Sequence, residues 1–364
     1  MRSLSKLRQH FDWPLFLCVL MLSVIGVVNL HSATASTEMT LVRKQLFWIG
    51  FGLVAFFVMA LIDYRAMARF AYPLYGVGLV MLALVLVIGK SINQSQRWLQ
   101  VGFIGLQPSE LMKVLLVIAL AKYLNDDPVV EGRKLKDIAI PFLVVGLPVG
   151  LVLKQPDLGT ALIIFLIFLS VMMLTRLKLR SILMIVAVAA LSLPLSWAYL
   201  LKDYQKQRIY TFLNPAADPV GAGWQARQSL FAIGSGGFSG KGYMQGTQNQ
   251  LHFLPERWTD FPFAVWGEEW GFLGSVVMLA IYLFFILWAV KIGTQARDRF
   301  GAVICVGVAS LFFWHAVISI GMVTGLAPVV GVTLPLVSYG GSSVVTMMMA
   351  AGLLMNVSIR KTSF

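Results

Sequence analysis

Apolar runs of about twenty residues recur along this chain, and no other feature restricts its fold so severely. A helix of that length crosses the roughly 30 Å hydrocarbon core of a bilayer. Only helices and closed barrels satisfy every backbone polar group in lipid. Ten helices are expected, at roughly 14–34, 46–62, 70–89, 107–124, 138–153, 158–175, 181–201, 262–290, 301–325 and 340–358. The fourth and fifth are short and interrupted, by Glu110, Lys113, Pro141 and Pro148. Hydrophobic residues make up 58% of the 364 positions and charged residues 12%, with mean hydropathy +0.80, which leaves too little charge to cover a soluble surface. The expected fold class is therefore all-α: a polytopic membrane protein of about ten transmembrane helices. Residues 1–364 form a single integral membrane domain, with one long extracytoplasmic loop at 202–261 between helices 7 and 8. That loop has no apolar periodicity of its own, and no internal repeat is visible.

The net charge of +13 would suggest nucleic acid in a soluble protein. Here cations in cytoplasmic loops account for it, and no nucleic-acid partner is expected. Counting Lys and Arg on alternate sides places 17 on the side of both termini and 5 in the short loops opposite. Both termini should therefore be cytoplasmic, in a multi-pass protein of the inner (cytoplasmic) membrane. The 202–261 loop lies outside, yet carries Lys202, Lys206, Arg208, Arg227, Lys241 and Arg257, against the rule, which suggests an anionic ligand. Cys18 and Cys305 lie within apolar runs, so neither a disulfide framework nor a thiolate metal site is indicated. His10, His31, His252 and His315 show no ligand spacing and read as packed or interfacial residues. The basic N-terminus and first apolar run resemble a signal peptide, but no small-residue cleavage site follows and the run should stay as a span.

Chemistry concentrates where the long loop enters a span, at TDFPFAVWGEEWG, residues 259–271. Thr259 or Asp260 could cap the helix, with Pro262 in its first turn. Asp260 could alternatively be a reactive carboxylate, because desolvation at the bilayer surface raises its pKa towards a general base's range. Glu268 and Glu269 lie deeper, where they either pair with a cation on a neighbouring helix or act directly. Upstream, GSGGFSGKGYMQGTQ holds six glycines together with Lys241, Thr247 and Gln248. It reads as a flexible linker or as a phosphate cradle of inward-aimed N–H groups, without the order of a nucleotide-binding loop. Arg208 stands among Tyr204, Tyr210 and Trp224, a pattern that interfacial aromatic belts also produce.

Glu110 and Lys113, three apart, share a helix face as a structural pair, a cavity-opening pair, or both. Asp157 in KQPDLGT suits the N-cap of the sixth helix. PLVSYGGSS, containing Ser338 and Ser342, is a small-residue turn that packs tightly or lines a cavity. All these positions, with Trp98, sort to the outer side, which is most simply explained by a polar cavity opening outward.

IDYR, QRWL with QPSELMK, KQPDLGTAL, DYQKQRI with FLNPAADP, GSGGFSGKGYMQGTQNQLHFLPERWTDF and PLVSYGGSS together resemble the SEDS family (shape, elongation, division and sporulation), on its elongation side, over nearly the whole chain. The resemblance implies a ten-helix peptidoglycan glycosyltransferase that polymerises lipid II and releases undecaprenyl diphosphate. It would work with a class B penicillin-binding protein (a transpeptidase) and other elongation-complex proteins. It implies that Asp260 is catalytic, and it extends substrate binding to Trp98, Glu110 and Lys113. The other residues expected to line the site are Asp157, Arg208, Lys241, Thr247, Gln248, Ser338 and Ser342. Trp258 and Pro262 depart from the family's usual histidine and isoleucine, which removes the histidine but leaves the aspartate.

A diphosphate departs without a proton from an enzyme acid, so one base is enough where glycosidases need two carboxyl groups. Asp260 would deprotonate the acceptor GlcNAc 4-hydroxyl for inverting attack on MurNAc C1. Loop cations, with or without a divalent metal (Mg or Mn), would stabilise the departing charge. No organic cofactor is expected, and no metal ligands are marked by spacing. The alternative is a lipid II flippase without glycosyl transfer, which predicts functional charge across the full bilayer depth.

Overall fold

The computed structural model describes residues 10–34, 39–92, 95–101, 104–127, 135–175, 203–215 and 221–361, with a few isolated positions between them. Nine long helices are present among the described residues: α1 (Trp13–Thr34), α2 (Met39–Leu61), α3 (Tyr64–Ile88), α4 (Pro108–Asp126), α5 (Leu135–Lys154), α6 (Leu158–Met173), α9 (Pro262–Thr294), α10 (Arg299–Val323) and α11 (Gly341–Arg360). Seven have the length and apolarity to cross a membrane outright. Of the expected helix at 181–201 only Leu183 and Met184 are described, both helical and exposed; the rest lies outside the described residues. Exposed apolar side chains such as Phe47, Val54, Val77, Val87, Val277 and Leu287 supply the lipid-facing surface such a bundle needs.

Three expectations change. The interval 90–106 is an antiparallel meander of β1 (Lys90–Ile92), β2 (Ser95–Val101) and β3 (Ile104–Leu106). The 202–261 interval also has structure, in α7 (Asp203–Leu213), α8 (Ala222–Gly236) and one helical turn at Thr247–Gln250. Finally, α2 and α3 begin earlier than the apolar runs do, α2 at Met39 and α3 at Tyr64, where Asp63 caps the helix by accepting from the Arg65 N–H.

The interrupted fourth helix turns out to be the centre of the bundle. The ten consecutive positions from Met112 to Ala121 are all buried, so α4 presents no lipid-facing stripe there and packs on α3, α5, α6, α10 and α11. Close approach elsewhere depends on small residues, since lipid provides no hydrophobic drive between helices. A Cβ on Gly52 would meet Met348 at 2.9 Å, and one on Gly352 would collide with the Phe56 carbonyl, so α2 and α11 pack through glycines from both sides.

Polar contacts gather at the two ends of the bundle. At the end holding the termini, Asp12 accepts from the Trp288 indole (2.8 Å) and the Ser358 hydroxyl (2.6 Å), and Tyr64 donates to Asp298 (2.7 Å). At the other end the meander, the long interval and the starts of α4, α6, α9 and α11 come together.

Candidate active site

Asp260 stands at the head of α9, and it is not the cap. Phe261 occupies the N-cap position with no side-chain hydrogen bond, and Pro262 takes the first helical turn, where a missing N–H costs nothing. The Thr259 hydroxyl turns back to the Glu256 carbonyl (3.3 Å) and carboxylate (3.2 Å). The expected capping role is therefore filled by neither residue, and the aspartate side chain is released from the helix end.

The backbone beside it is held by residues far along the chain. Ser338 donates to the Thr259 carbonyl (2.6 Å), Tyr339 N–H to the Trp258 carbonyl (2.8 Å), and Asn29 to the Pro262 carbonyl (2.9 Å). Burial of the carboxylate, reinforced by the nearby negative charge of Glu256, pushes the Asp260 pKa up to about 6; the Thr259 hydroxyl and the charges of Arg208 and Arg97 pull the other way. Among the described residues none of the ion pairs includes Asp260, so both arginines act on it through space.

Arg97 is fixed by the Gln155 carbonyl (3.4 Å), the Pro156 carbonyl and Asp157 (3.7 Å). Asp157 is buried and fully occupied: it caps α6 through the Thr160 N–H (3.2 Å) and hydroxyl (2.9 Å), and it receives Gln107 (3.4 Å). It acts on the site by holding Arg97. Arg208 on α7 shares a pocket of about 100 Å³ with Arg227, Pro328 and Val329. Trp98 on β2 lies over Gly105, close enough that a Cβ there would touch the ring at 3.4 Å. Ser342 accepts from the Gln107 N–H and donates to the Gly105 carbonyl, both at 3.1 Å, and so welds the meander to the start of α11.

The glycine-rich stretch is organised differently from a phosphate cradle. At Gly271 (φ 62°, ψ −156°) α9 breaks, and the loop repairs the break. Lys241 and Gly242 N–H donate to the Glu268 and Glu269 carbonyls (3.0 Å each), while the Phe272 and Leu273 N–H groups donate to the Gly237 (2.9 Å) and Phe238 (3.1 Å) carbonyls. Such contact requires backbone against backbone: a Cβ on Gly240 would fall inside the Glu269 carbonyl.

Below it, the buried Glu268 carboxylate accepts from Lys241 (2.7 Å), Thr247 (3.2 Å) and the N–H groups of Gln248 (3.0 Å) and Asn249 (3.3 Å). The donors expected to hold a ligand's phosphate hold the protein's own carboxylate. Glu269 is met by Ser32 on α1 and by Asn249. The expected cation from a neighbouring helix is replaced for Glu268 by Lys241 of the loop, while Glu269 takes a hydroxyl from α1 and an amide from the loop. Arg257, one of the loop's unexpected cations, is also committed: it is buried against the Asn249 carbonyl (2.6 Å), His252 and the Trp258 ring.

Glu110 and Lys113 do pair, at 2.7 Å inside the bundle, and Lys113 also reaches His315 (2.8 Å). Sequence reasoning assigned Arg97, Glu256 and Gly331 no place in the site, and His315 only that of a packed or interfacial residue. Of these only Arg97 carried a signal, as the cation immediately before Trp98.

The sequence matches the FtsW/RodA/SpoVE cell cycle protein family over residues 12–363. It is 39% identical over 348 residues to the peptidoglycan glycosyltransferase MrdB of Escherichia coli, covering 96% of this chain and 93% of that one. It is 32% identical to the peptidoglycan glycosyltransferase RodA of Treponema pallidum, covering 96% and 98%. Among solved structures, a chain of a peptidoglycan synthase complex that coordinates polymerization and crosslinking superposes with TM-score 0.85 at 34% identity, covering 98% of this chain and all of that one. The Thermus thermophilus rod shape determining protein RodA superposes with TM-score 0.74 at 31% identity, covering 98% and 99%. The family match and these full-length likenesses agree with the helix order and the polar end described above: the chain belongs to the FtsW/RodA/SpoVE (SEDS) family.

Proposed function

We propose that this chain is a peptidoglycan glycosyltransferase that polymerises lipid II during cell elongation, with Asp260 as its general base. One observation carries the reading: a half-buried carboxylate at the mouth of the bundle that caps no helix and, among the described residues, enters no ion pair, with the charges of two arginines acting on it. Asp260 would take the proton from the acceptor GlcNAc 4-hydroxyl as that oxygen attacks MurNAc C1. The C1–diphosphate bond breaks with inversion, and undecaprenyl diphosphate leaves as the anion. Arg97, held rigid by Asp157 and two carbonyls, and Arg208 are placed to stabilise the charge on the departing diphosphate; preorganised donors of this kind need no rearrangement as charge develops. Lys241, committed to Glu268, is withdrawn from that role.

A divalent cation, Mg or Mn, would ride on the substrate's diphosphate. Among the described residues no group of three His, Cys, Asp or Glu could cage it, and no step here is routed through it. The likeness to a complex that couples polymerization to crosslinking supports a class B penicillin-binding protein as partner. The cation count supports an inner-membrane orientation with cytoplasmic termini and the Asp260 end outside.

Purified wild type and Asp260→Asn, each supplied with lipid II, test the reading. Wild type should make glycan polymer, and the variant should lose on the order of 10²–10⁴-fold, the usual contribution of a general base. Lipid translocation in vesicles with no polymer from either protein would favour the flippase instead.

A further inference from the structure

Between α10 and α11 the chain does not pass directly from one membrane helix to the next. Residues 324–340 form a strap without helix or strand, folded across the end of the bundle that holds Asp260. Its core side is packed hard. Val330 and Val332 are buried, and a Cβ on Gly159, at the start of α6, would meet the Val330 carbonyl at 2.9 Å. Thr333 and Ser343 share a hydroxyl–hydroxyl bond of 2.9 Å.

The opposite side of the strap faces the aspartate. Gly331 is exposed with φ 72°, and a Cβ added to it would stand 3.5 Å from Asp260 Oδ2. Further along, Ser338 and Tyr339 of the same strap hold the Thr259 and Trp258 carbonyls. One segment therefore flanks the carboxylate and also pins the backbone that carries it.

His315 on α10 fixes that segment from beneath. Its Nδ1 lies 3.0 Å from the Thr333 carbonyl oxygen, and its Nε2 lies 2.8 Å from Lys113 Nζ. An ammonium group only donates, so Nε2 must offer its lone pair and Nδ1 must carry the proton that it donates to Thr333. The ring is a neutral spacer with a donor on one edge and an acceptor on the other. It is 1% exposed, so water cannot replace either bond. Lys113 is in turn locked to Glu110 at 2.7 Å.

We propose that His315 is a positioning residue of the transfer reaction: by bridging Lys113 on α4 to Thr333 on the strap, it sets Gly331 against Asp260 and so fixes the carboxylate beside the acceptor hydroxyl. The inference rests on Asp260 being the base. Glutamine can reproduce the bridge, since its amide N–H can donate to Thr333 and its oxygen can accept from Lys113. Leucine fills similar space and can do neither.

The test uses the full chain with His315→Gln, His315→Leu, Gly331→Ala and Asp260→Asn, measuring kcat and KM for lipid II polymerisation and the thermal denaturation midpoint of each protein. Because misplacement by about 1 Å can cost up to about a hundredfold in rate, His315→Leu should lose at least about tenfold in kcat with KM changed less than about threefold, while His315→Gln stays within about threefold of wild type. Gly331→Ala, which strains the strap at a φ of 72° and adds a Cβ 3.5 Å from Asp260 Oδ2, should also lose kcat. Folded His315→Leu with wild-type kcat, or His315→Gln failing as badly as leucine, would overturn the proposal. If leucine does not fold, wild-type kcat in Gly331→Ala overturns it. Activity in Asp260→Asn would instead remove the base assignment, a separate failure.

Discussion

Lowering the pH from 7 to 5 should switch Asp260 off as a base. Burial, with the neighbouring Glu256 charge, holds its pKa at about 6 instead of the ordinary 3.8. With that value about 0.9 of the carboxyl groups are ionised at pH 7 and about 0.1 at pH 5, so kcat/KM should fall about tenfold, with unit slope on the acid side. An aspartate with the ordinary value would still be about 0.9 ionised at pH 5, and the rate would scarcely change. Polymerisation of lipid II at limiting substrate, in buffers of constant ionic strength, measures this directly. Glu256→Gln removes a like charge and should move the acid limb to lower pH. A flat profile from pH 5 to 7, or a limb unmoved by Glu256→Gln, would refute the placement of Asp260 in a desolvated pocket beside that glutamate.

The same shift has a consequence for stability. With its folded-state pKa raised, Asp260 contributes stability that is full below about 3.8 and lost as pH rises through about 6. The loss amounts to at most about 3 kcal/mol, from roughly two pH units at 1.36 kcal/mol each. Asp260→Asn should therefore denature at a higher temperature than wild type at pH 7.5, with the gap narrowing as pH falls below 6.

Other perturbations separate structural from binding roles. Lys241→Ala should lower stability by about 1–3 kcal/mol, a charge-assisted bond lost, with KM for lipid II changed little; a large KM increase with unchanged stability would restore Lys241 as a phosphate ligand. Glu268→Ala leaves buried donors without an acceptor and should cost about 3–5 kcal/mol, read as early protease cleavage in the 237–250 loop. Lys113→Met strands the Glu110 carboxylate and should destabilise by a similar about 3–5 kcal/mol, whereas pairing it with Glu110→Gln should recover part of the loss in thermal midpoint.

Much of this architecture was legible in advance. Apolar runs located the spans because lipid demands a continuous helix of fixed length, and the Glu110–Lys113 spacing gave a pair because residues three apart share a face. Asp157 was readable as a cap for a similarly local reason. The β-meander was missed because its strands run only 3 to 7 residues, too short for alternation to register. The Lys241–Glu268 pair was not legible, because composition cannot show that a carboxylate from another segment waits beneath a glycine-rich loop.

The amino-acid sequence by itself determined what each residue requires of its immediate surroundings: apolar runs that must lie in lipid, a cation excess that orients them, an aspartate at the edge of a span. Those demands act within a few residues and need no knowledge of the rest of the chain. Tertiary structure alone decided that Asp260 was left out of the ion pairs among the described residues. Glu268, Glu269 and Asp157 were each met by donors brought from other segments, while Asp260 was given a glycine at its flank and arginines at a distance. Whether a buried acid ends as a structural anchor or a base depends on the partners folding delivers to it, and that is a property of the assembled bundle.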